Sequence, residues 1–283
     1  MTSHASILVP LDGSKNAENA VPMAGLLARL YDLSVRFIHV VDDGEDALKP
    51  DALERTREVF SSYATDLAER HGIEKAKTLA EVGYGPAAPT ILGASAGVRF
   101  LVIATHGRGG FKAQFIGSVA DKVIRGSKVP VATVPGVGAP MTLDKRPILV
   151  ALDGSPEAER GLEAARDLAK RAGAKIVLAR AFSVPPPVGI EFAYYPPDLL
   201  TTMQKAAQEY LSETAEPGER TTLIQGSPAG AIEQAATDAN AGLVVMTSHG
   251  KGLAARLALG STTDRVLHTV HRPMLIVPIV EDE

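Results

Sequence analysis

The sequence predicts a tandem α/β protein, two doubly wound domains each built on a five-stranded parallel sheet. Three observations carry this. Ile7-Leu8-Val9-Pro10-Leu11-Asp12-Gly13-Ser14 returns as Ile148-Leu149-Val150-Ala151-Leu152-Asp153-Gly154-Ser155. Thr105-His106-Gly107, followed nine residues on by Gly117-Ser118, returns as Ser248-His249-Gly250 and Gly260-Ser261. Asp12 and Asp153 stand 141 residues apart, and Gly117 and Gly260 stand 143 apart. That period is domain-sized, far beyond the roughly 20–50 residues of solenoid repeats. Finally, each half alternates short β-branched runs with longer helical patterns, the signature of βα units around a parallel sheet.

The first half offers strands at 7–11, 34–40, 77–82, 100–104 and 131–134. The second offers 148–152, 175–181, 221–225, 243–247 and 274–280. Phe100-Leu101-Val102-Ile103-Ala104 is apolar without interruption, which suits a strand buried on both faces. Helices fall between the strands. Ser155-Pro156-Glu157 combines a serine cap, a proline at the first helical position and an acid at the positive end of the dipole. Ser14 opens the matching helix, in which Pro22 should produce a kink. The third helices start at Pro86 and Pro228, the fourth near Ser118 and Ser261. A linker at 135–140 divides the chain into expected domains at 1–139 and 145–283. The segments 42–51 and 183–197, one acidic and one rich in proline, follow the second strand of each half and are expected to form unlike lids.

At 283 residues, 45% hydrophobic and 22% charged, the composition is that of a soluble globular protein with room for two cores. A net charge of −4 without a basic tract weighs against nucleic acid as a main partner. Cysteine is absent, which excludes disulfides, thiolate metal sites and cysteine catalysis. The N-terminal residues lack a secretory pattern and no apolar run approaches the roughly 20 residues of a membrane helix. The expected location is cytoplasmic, with no membrane partner.

Candidate chemistry gathers at the strand ends. After Ala104 comes a loop with Gly107, Gly109 and Gly110, then a helix at Ser118. Glycines permit close backbone approach to an anion, and a helix start presents unpaired N–H groups to phosphate. Ser118 adds a hydroxyl; Gly250, Gly252, Gly260 and Ser261 repeat the arrangement. The spacing is not that of a Walker loop. A plain helix cap explains the same residues equally well. Asp12 and Asp153, ending the first strands, suit a ribose hydroxyl or a divalent metal beside phosphates, or else simply cap a turn. His106 and His249 read as donors that fix the loop; Arg108 and Lys251 beside them can reach terminal phosphates. Gly83-Tyr84-Gly85-Pro86-Ala87-Ala88 mimics a dinucleotide fingerprint but opens the wrong unit, with no acid at the end of the next strand, and reads as a tight turn.

Strand-Asp-Gly-Ser, strand-His-Val at His39-Val40, Thr-His-Gly and Gly-Ser together resemble the universal stress proteins, over essentially the whole chain as two tandem domains. The resemblance implies an adenine-nucleotide alpha-hydrolase-like fold with strand order 3-2-1-4-5. It implies nucleotide at the switch point between strands 1 and 4, and pairing of domains through their last strands, with a homodimer as a further expectation. It implies ATP as ligand, with Mg held through phosphates and Asp12. The family pattern G-x2-G-x9-G-[S/T] maps its second and third glycines onto Gly107 and Gly117, and onto Gly250 and Gly260, with Ser118 and Ser261 on phosphate. The backbone of Val40, and of Ala181 in the second half, would recognise adenine. The pattern's first glycine is Ala104 in one copy and Thr247 in the other, and Arg180 replaces histidine before Ala181. These departures make the first half the expected stronger site. No catalytic constellation stands out, so the leading reading is a nucleotide-binding sensor or reservoir with little turnover. A tandem interaction module without nucleotide and a slow ATPase are the alternatives.

Overall fold

The computed structural model describes residues 6–41, 50–106, 116–136, 143, 146–183, 198–250 and 259–279. Ten strands and nine α-helices are present among the described residues. In the first half they run β1 (Ser6–Pro10), α1 (Lys15–Glu18), α2 (Val21–Tyr31), β2 (Ser34–Val41), α3 (Pro50–Arg70), β3 (Thr78–Tyr84), α4 (Ala87–Ala94), β4 (Phe100–Ala104), α5 (Ser118–Gly126) and β5 (Val131–Val134). The second half follows with β6 (Ile148–Ala151), α6 (Pro156–Ala172), β7 (Ile176–Phe182), α7 (Leu199–Thr214), β8 (Arg220–Gln225), α8 (Pro228–Asp238), β9 (Leu243–Thr247), α9 (Ser261–Thr269) and β10 (Met274–Val277).

The strands expected from apolar runs therefore form, with ends displaced by one or two residues in several cases and by three in the last, where β10 ends at Val277 and not at 280. At the first of them the pairing runs on one residue past the strand: Leu11 donates to Ile38 O at 2.8 Å although β1 closes at Pro10. Pro22 has a different effect from a kink. The helix opened by Ser14 ends at Glu18, and a second helix starts at Val21 with Pro22 in its first turn, where no N–H is required. Ser14 caps the short first piece by accepting from Ala17 N at 3.2 Å.

Two compact units emerge. The first comprises residues 1–141, 254–259 and 271–283, the second 142–253 and 260–270. In the first, the strands lie in the order β3-β2-β1-β4-β5-β10. β1 through β5 pair in parallel, and β10 joins β5 antiparallel, with Met274 opposite Thr133 and Ile276 opposite Val131. The second unit runs β8-β7-β6-β9, all parallel. The order 3-2-1-4-5 thus holds in the first half. In the second, four strands keep that order, while the fifth, β10, counts with the first unit. There it covers the N–H and C=O groups that β5 would otherwise present as an open edge.

The core of each unit is the central strand pair. Ile7, Leu8 and Val9 on β1 and Leu101 and Val102 on β4 are fully buried, as are Ile148, Leu149 and Val150 on β6 and Val244 and Val245 on β9. Strands covered by helices on both faces bury every side chain, which is why these runs are apolar throughout. Reversal of the winding on either side of β1 leaves a crevice at the carboxyl ends of β1 and β4.

Candidate functional site

A cavity of about 450 Å³ opens at that crevice in the first unit. Its wall includes Asp12 after β1, Val40 on β2, Ala104 and His106 at the end of β4, and Gly117 and Ser118 at the start of α5. Residues far apart in sequence meet here because β1, β2 and β4 are adjacent and parallel, so their carboxyl ends share one rim. The rest of the wall is mainly apolar, with Pro10, Leu11, Ile38, Ile91 and Ile103 among its members. Volume and lining are those of a small-molecule pocket, which usually combines apolar walls with a few polar groups.

Each polar member is held by local bonds. Asp12 accepts from Ser14 N through Oδ1 at 2.9 Å, closing the turn that starts α1. His39, one residue before Val40, donates from Nδ1 to Leu11 O at 2.8 Å and stands against Phe60 with ring centroids 5.4 Å apart. It ties β2 to the loop that carries Asp12. Gly117 N donates to Thr105 O at 2.7 Å, pinching together the two ends of the glycine-rich loop. Gly117 is the N-cap of α5 with no side-chain cap bond, so the helix start faces the cavity without a serine or aspartate closing it. Ser118 is exposed at the rim.

His106 does more than fix its loop. Its Nδ1 lies 2.9 Å from Thr105 Oγ1, and that hydroxyl in turn reaches Val134 O at 3.4 Å. The other ring nitrogen, Nε2, is buried and has no hydrogen-bond partner among the described residues. Gly107 and Arg108 lie outside the described residues, as do Lys251 and, but for Pro50, Asp51 and Ser183, both expected lids.

The second half repeats the scaffold and fills it differently. Asp153 Oδ1 accepts from both the N–H and the hydroxyl of Ser155. Ser155 caps α6 by accepting from Ala158 N at 3.2 Å. Gly260 N donates to Ser248 O at 2.8 Å, as Gly117 does to Thr105. A side chain on Gly260 would begin 3.1 Å from Ser248 O, so backbone packing favours a glycine here whether or not a ligand is present. Gly250 sits directly against the Asp153 carboxylate, leaving no room for a side chain. Thr247, expected to crowd a ligand, is buried; its hydroxyl donates to His249 O at 2.7 Å and its methyl faces Gly161 on α6. His249 repeats the hydroxyl pairing, with Nδ1 3.0 Å from Ser248 Oγ and Nε2 unpartnered among the described residues. Burial holds its pKa below the usual histidine value. Ala181 lies on β7 in register with Ile224, Ser261 is exposed at the start of α9, and Arg180 lies against the Gly154 turn.

Sequence reasoning overlooked the α4 side of the first cavity. Ala87 and Ile91 line it, delivered by the turn Gly83–Pro86 dismissed as a decoy. The turn is tight, with Gly85 at φ +105° and its N–H on Val41 O at 3.1 Å. A side chain on Gly83 would begin 2.6 Å from Thr90 Cγ2 and within 3.6 Å of Ile38 and Val40, so this glycine lets α4 close on the pocket wall. The signal was glycine in a strand end directly before a helix.

A doubly wound sheet with a pocket at the strand 1/strand 4 crevice and a capless helix start at its rim defines the class of doubly wound α/β proteins with a crevice at the strand ends. The comparisons are narrower. The model of the universal stress protein family matches residues 5–135 and again 145–278, and the chain belongs to that family. Two universal stress proteins of Mycobacterium tuberculosis are 24% identical over 309 residues and 25% identical over 290, covering 99% and 95% of this chain and 97% and 96% of theirs. A universal stress protein of Thermus aquaticus is 34% identical over 133 residues, covering 46% of this chain and 96% of its own. The fold is shared with a universal stress protein of Archaeoglobus fulgidus, at TM-score 0.70 and 24% identity, over 98% of this chain and 99% of that one.

Proposed function

We propose that the first half binds an adenine nucleotide, ATP with Mg as the leading case, and that the chain acts as a nucleotide sensor or reservoir with little turnover. One observation carries the reading. The residues marked in the sequence for base, sugar and phosphate (Val40, Asp12, Gly117 with Ser118) line a single cavity of about 450 Å³ together with Ala104 and His106. The apolar wall suits a purine, and the uncapped N–H groups of α5 suit phosphate. Asp12 is the carboxylate for a ribose hydroxyl or for a metal bridging to phosphates. Arg108 and Lys251 are assigned to terminal phosphates from sequence alone, as is the equivalence of Asp153, Ala181, Thr247, His249, Gly250, Gly260 and Ser261 in a weaker second site. A cytoplasmic role and the domain bounds 1–139 and 145–283 belong to the same reading.

Heat-denaturing the purified protein and weighing any released small molecule by mass spectrometry is the direct test. Near-stoichiometric adenine nucleotide supports the reading; none released, together with no heat of binding on titration with Mg-ATP, refutes it. Gly117→Val places a branched side chain at the cavity wall and at the α5 start. It is expected to abolish first-half binding while circular dichroism stays unchanged.

A slow hydrolase is the second reading, favoured by one feature. His106 lines the cavity, and its buried Nε2 has no hydrogen-bond partner among the described residues. Under that reading His106→Asn would remove a measurable Mg-ATP turnover, whereas a reservoir shows no turnover to remove.

A further inference from the structure

β4 and β5 pair in parallel with Ala104 opposite Val134, and Thr105 N still donates to Val134 O at 2.9 Å. Two residues past that pair, His106 and Gly136 stand side by side. A methyl group built on Gly136 would lie 3.2 Å from His106 Cβ and 3.4 Å from both Cγ and Nδ1. The glycine backbone therefore rests on the root of the imidazole and on its Nδ1 edge, the same nitrogen that Thr105 Oγ1 meets at 2.9 Å. What fixes Gly136 comes from far off in the chain: its carbonyl accepts from Asn19 Nδ2 at 2.7 Å. Asn19 closes α1, the four-residue helix whose N-cap, Ser14, donates its N–H to Asp12 at 2.9 Å. Ala17, between the two ends, lines the cavity. The short helix is thus tied to one polar group of the cavity by its cap and reaches another, His106, through Gly136.

The internal repeat separates this clasp from the needs of the fold. The 141-residue period puts Arg160 in the place of Asn19, inside the unbroken helix α6. Val134-Pro135-Gly136 returns as Val277-Pro278-Ile279, so the glycine is replaced as well. His249 nevertheless keeps the histidine and its hydroxyl neighbour. The second half builds that histidine with neither clasp residue, so asparagine and glycine answer to the first cavity. We infer that Asn19 is a positioning residue of that cavity: through Gly136 it sets where the His106 ring stands, and so how tightly the cavity holds its ligand. It rests on the nucleotide binding proposed for the first half and adds a residue that is not itself part of the described cavity wall.

NMR of the His106 ring in protein carrying isotope-labelled histidine, beside calorimetric titration with Mg-ATP, tests this on the full chain. Asn19→Ala removes the bond to Gly136 O and is expected to shift the His106 ring signals of the ligand-free protein while those of His249 stay in place. Mg-ATP should then bind roughly fivefold more weakly, the worth of one ordinary hydrogen bond. Gly136→Ala keeps Asn19 and presses a methyl on the ring; its φ lies outside the left-handed region, so alanine adds no backbone strain. It should move the same signals and weaken binding too. In a His106→Ala background, Asn19→Ala should cost no further affinity, because the group through which it acts is gone. His106 signals that stay put in both folded variants overturn the inference, and so does an affinity left unchanged when they move. An Asn19→Ala loss that persists undiminished in the His106→Ala background overturns it as well. A wild type that binds no Mg-ATP overturns the first-half reading instead, and the ring signals then decide whether Asn19 sets the place of His106.

Discussion

Ser155 shows how much one side chain does at the crevice. It is almost wholly buried, caps α6 through Ala158 N and donates to Asp153, while Ser14 caps only the four-residue α1. Loss of a capping hydroxyl costs about 1 kcal/mol, and up to about 2 in buried settings. Ser155→Ala is expected at the upper end and Ser14→Ala at the lower, a difference readable in urea denaturation midpoints. The histidines act through protonation. Burial holds His249 below the usual histidine value, and burial, then Arg70, does the same for His71 against the opposing pull of Glu18. The unfolded chain then binds more protons than the folded one through the histidine range. Stability from these groups is complete above the unfolded value of 6.5 and is lost as pH falls through the range. Thermal midpoints measured from about pH 7.5 to 5.5 should fall with acid, and His71→Asn with His249→Asn should flatten the slope. A midpoint that rises with acid would contradict the sign.

At the scale of elements, β5 and β10 make the sharpest case. β5 is four residues long and pairs with β4 on one side and antiparallel with β10 on the other. A fragment ending at residue 139 leaves the β10 side of β5 bare, and bare edges template pairing with another chain. Fragment 1–139 is expected to self-associate in sedimentation experiments, with faster hydrogen exchange at the β5 amides than in the full chain. A monomeric fragment with unchanged β5 exchange would show that β10 contributes little. The α1–α2 break is a smaller instance of the same lesson. The sequence places Pro22 inside a helix, yet the chain turns at Asn19 and Ala20, and the Asn19 amide donates to Gly136 O at 2.7 Å. That long-range bond is invisible to local propensity, which sees only the proline.

For the whole molecule, strand runs, helix starts and the duplicated Asp-Gly-Ser and Gly-Ser segments were legible in the sequence because each is a local property. Apolar runs mark strands buried on both faces, serine and proline mark helix starts, and repetition marks two copies of one fold. The polar half of the first site was legible for the same reason: Asp12, Gly117 and Ser118 stand at strand and helix ends that the pattern locates. Its apolar half was not. Ile38, Ala87 and Ile91 are ordinary core residues by sequence and become pocket wall only where β2 and α4 leave a gap beside β1. Nor could sequence tell that Thr247 turns its methyl to Gly161 while Arg180 lies against Tyr210 and the Gly154 turn, because rotamer choice depends on such neighbours. The sequence by itself determined the fold of each half and the strand ends at which the first cavity opens, since backbone periodicity and capping are written locally. Only the tertiary structure decided which side of that place is open and which strand closes the edge of β5, since both depend on side chains and strands brought together across long stretches of chain.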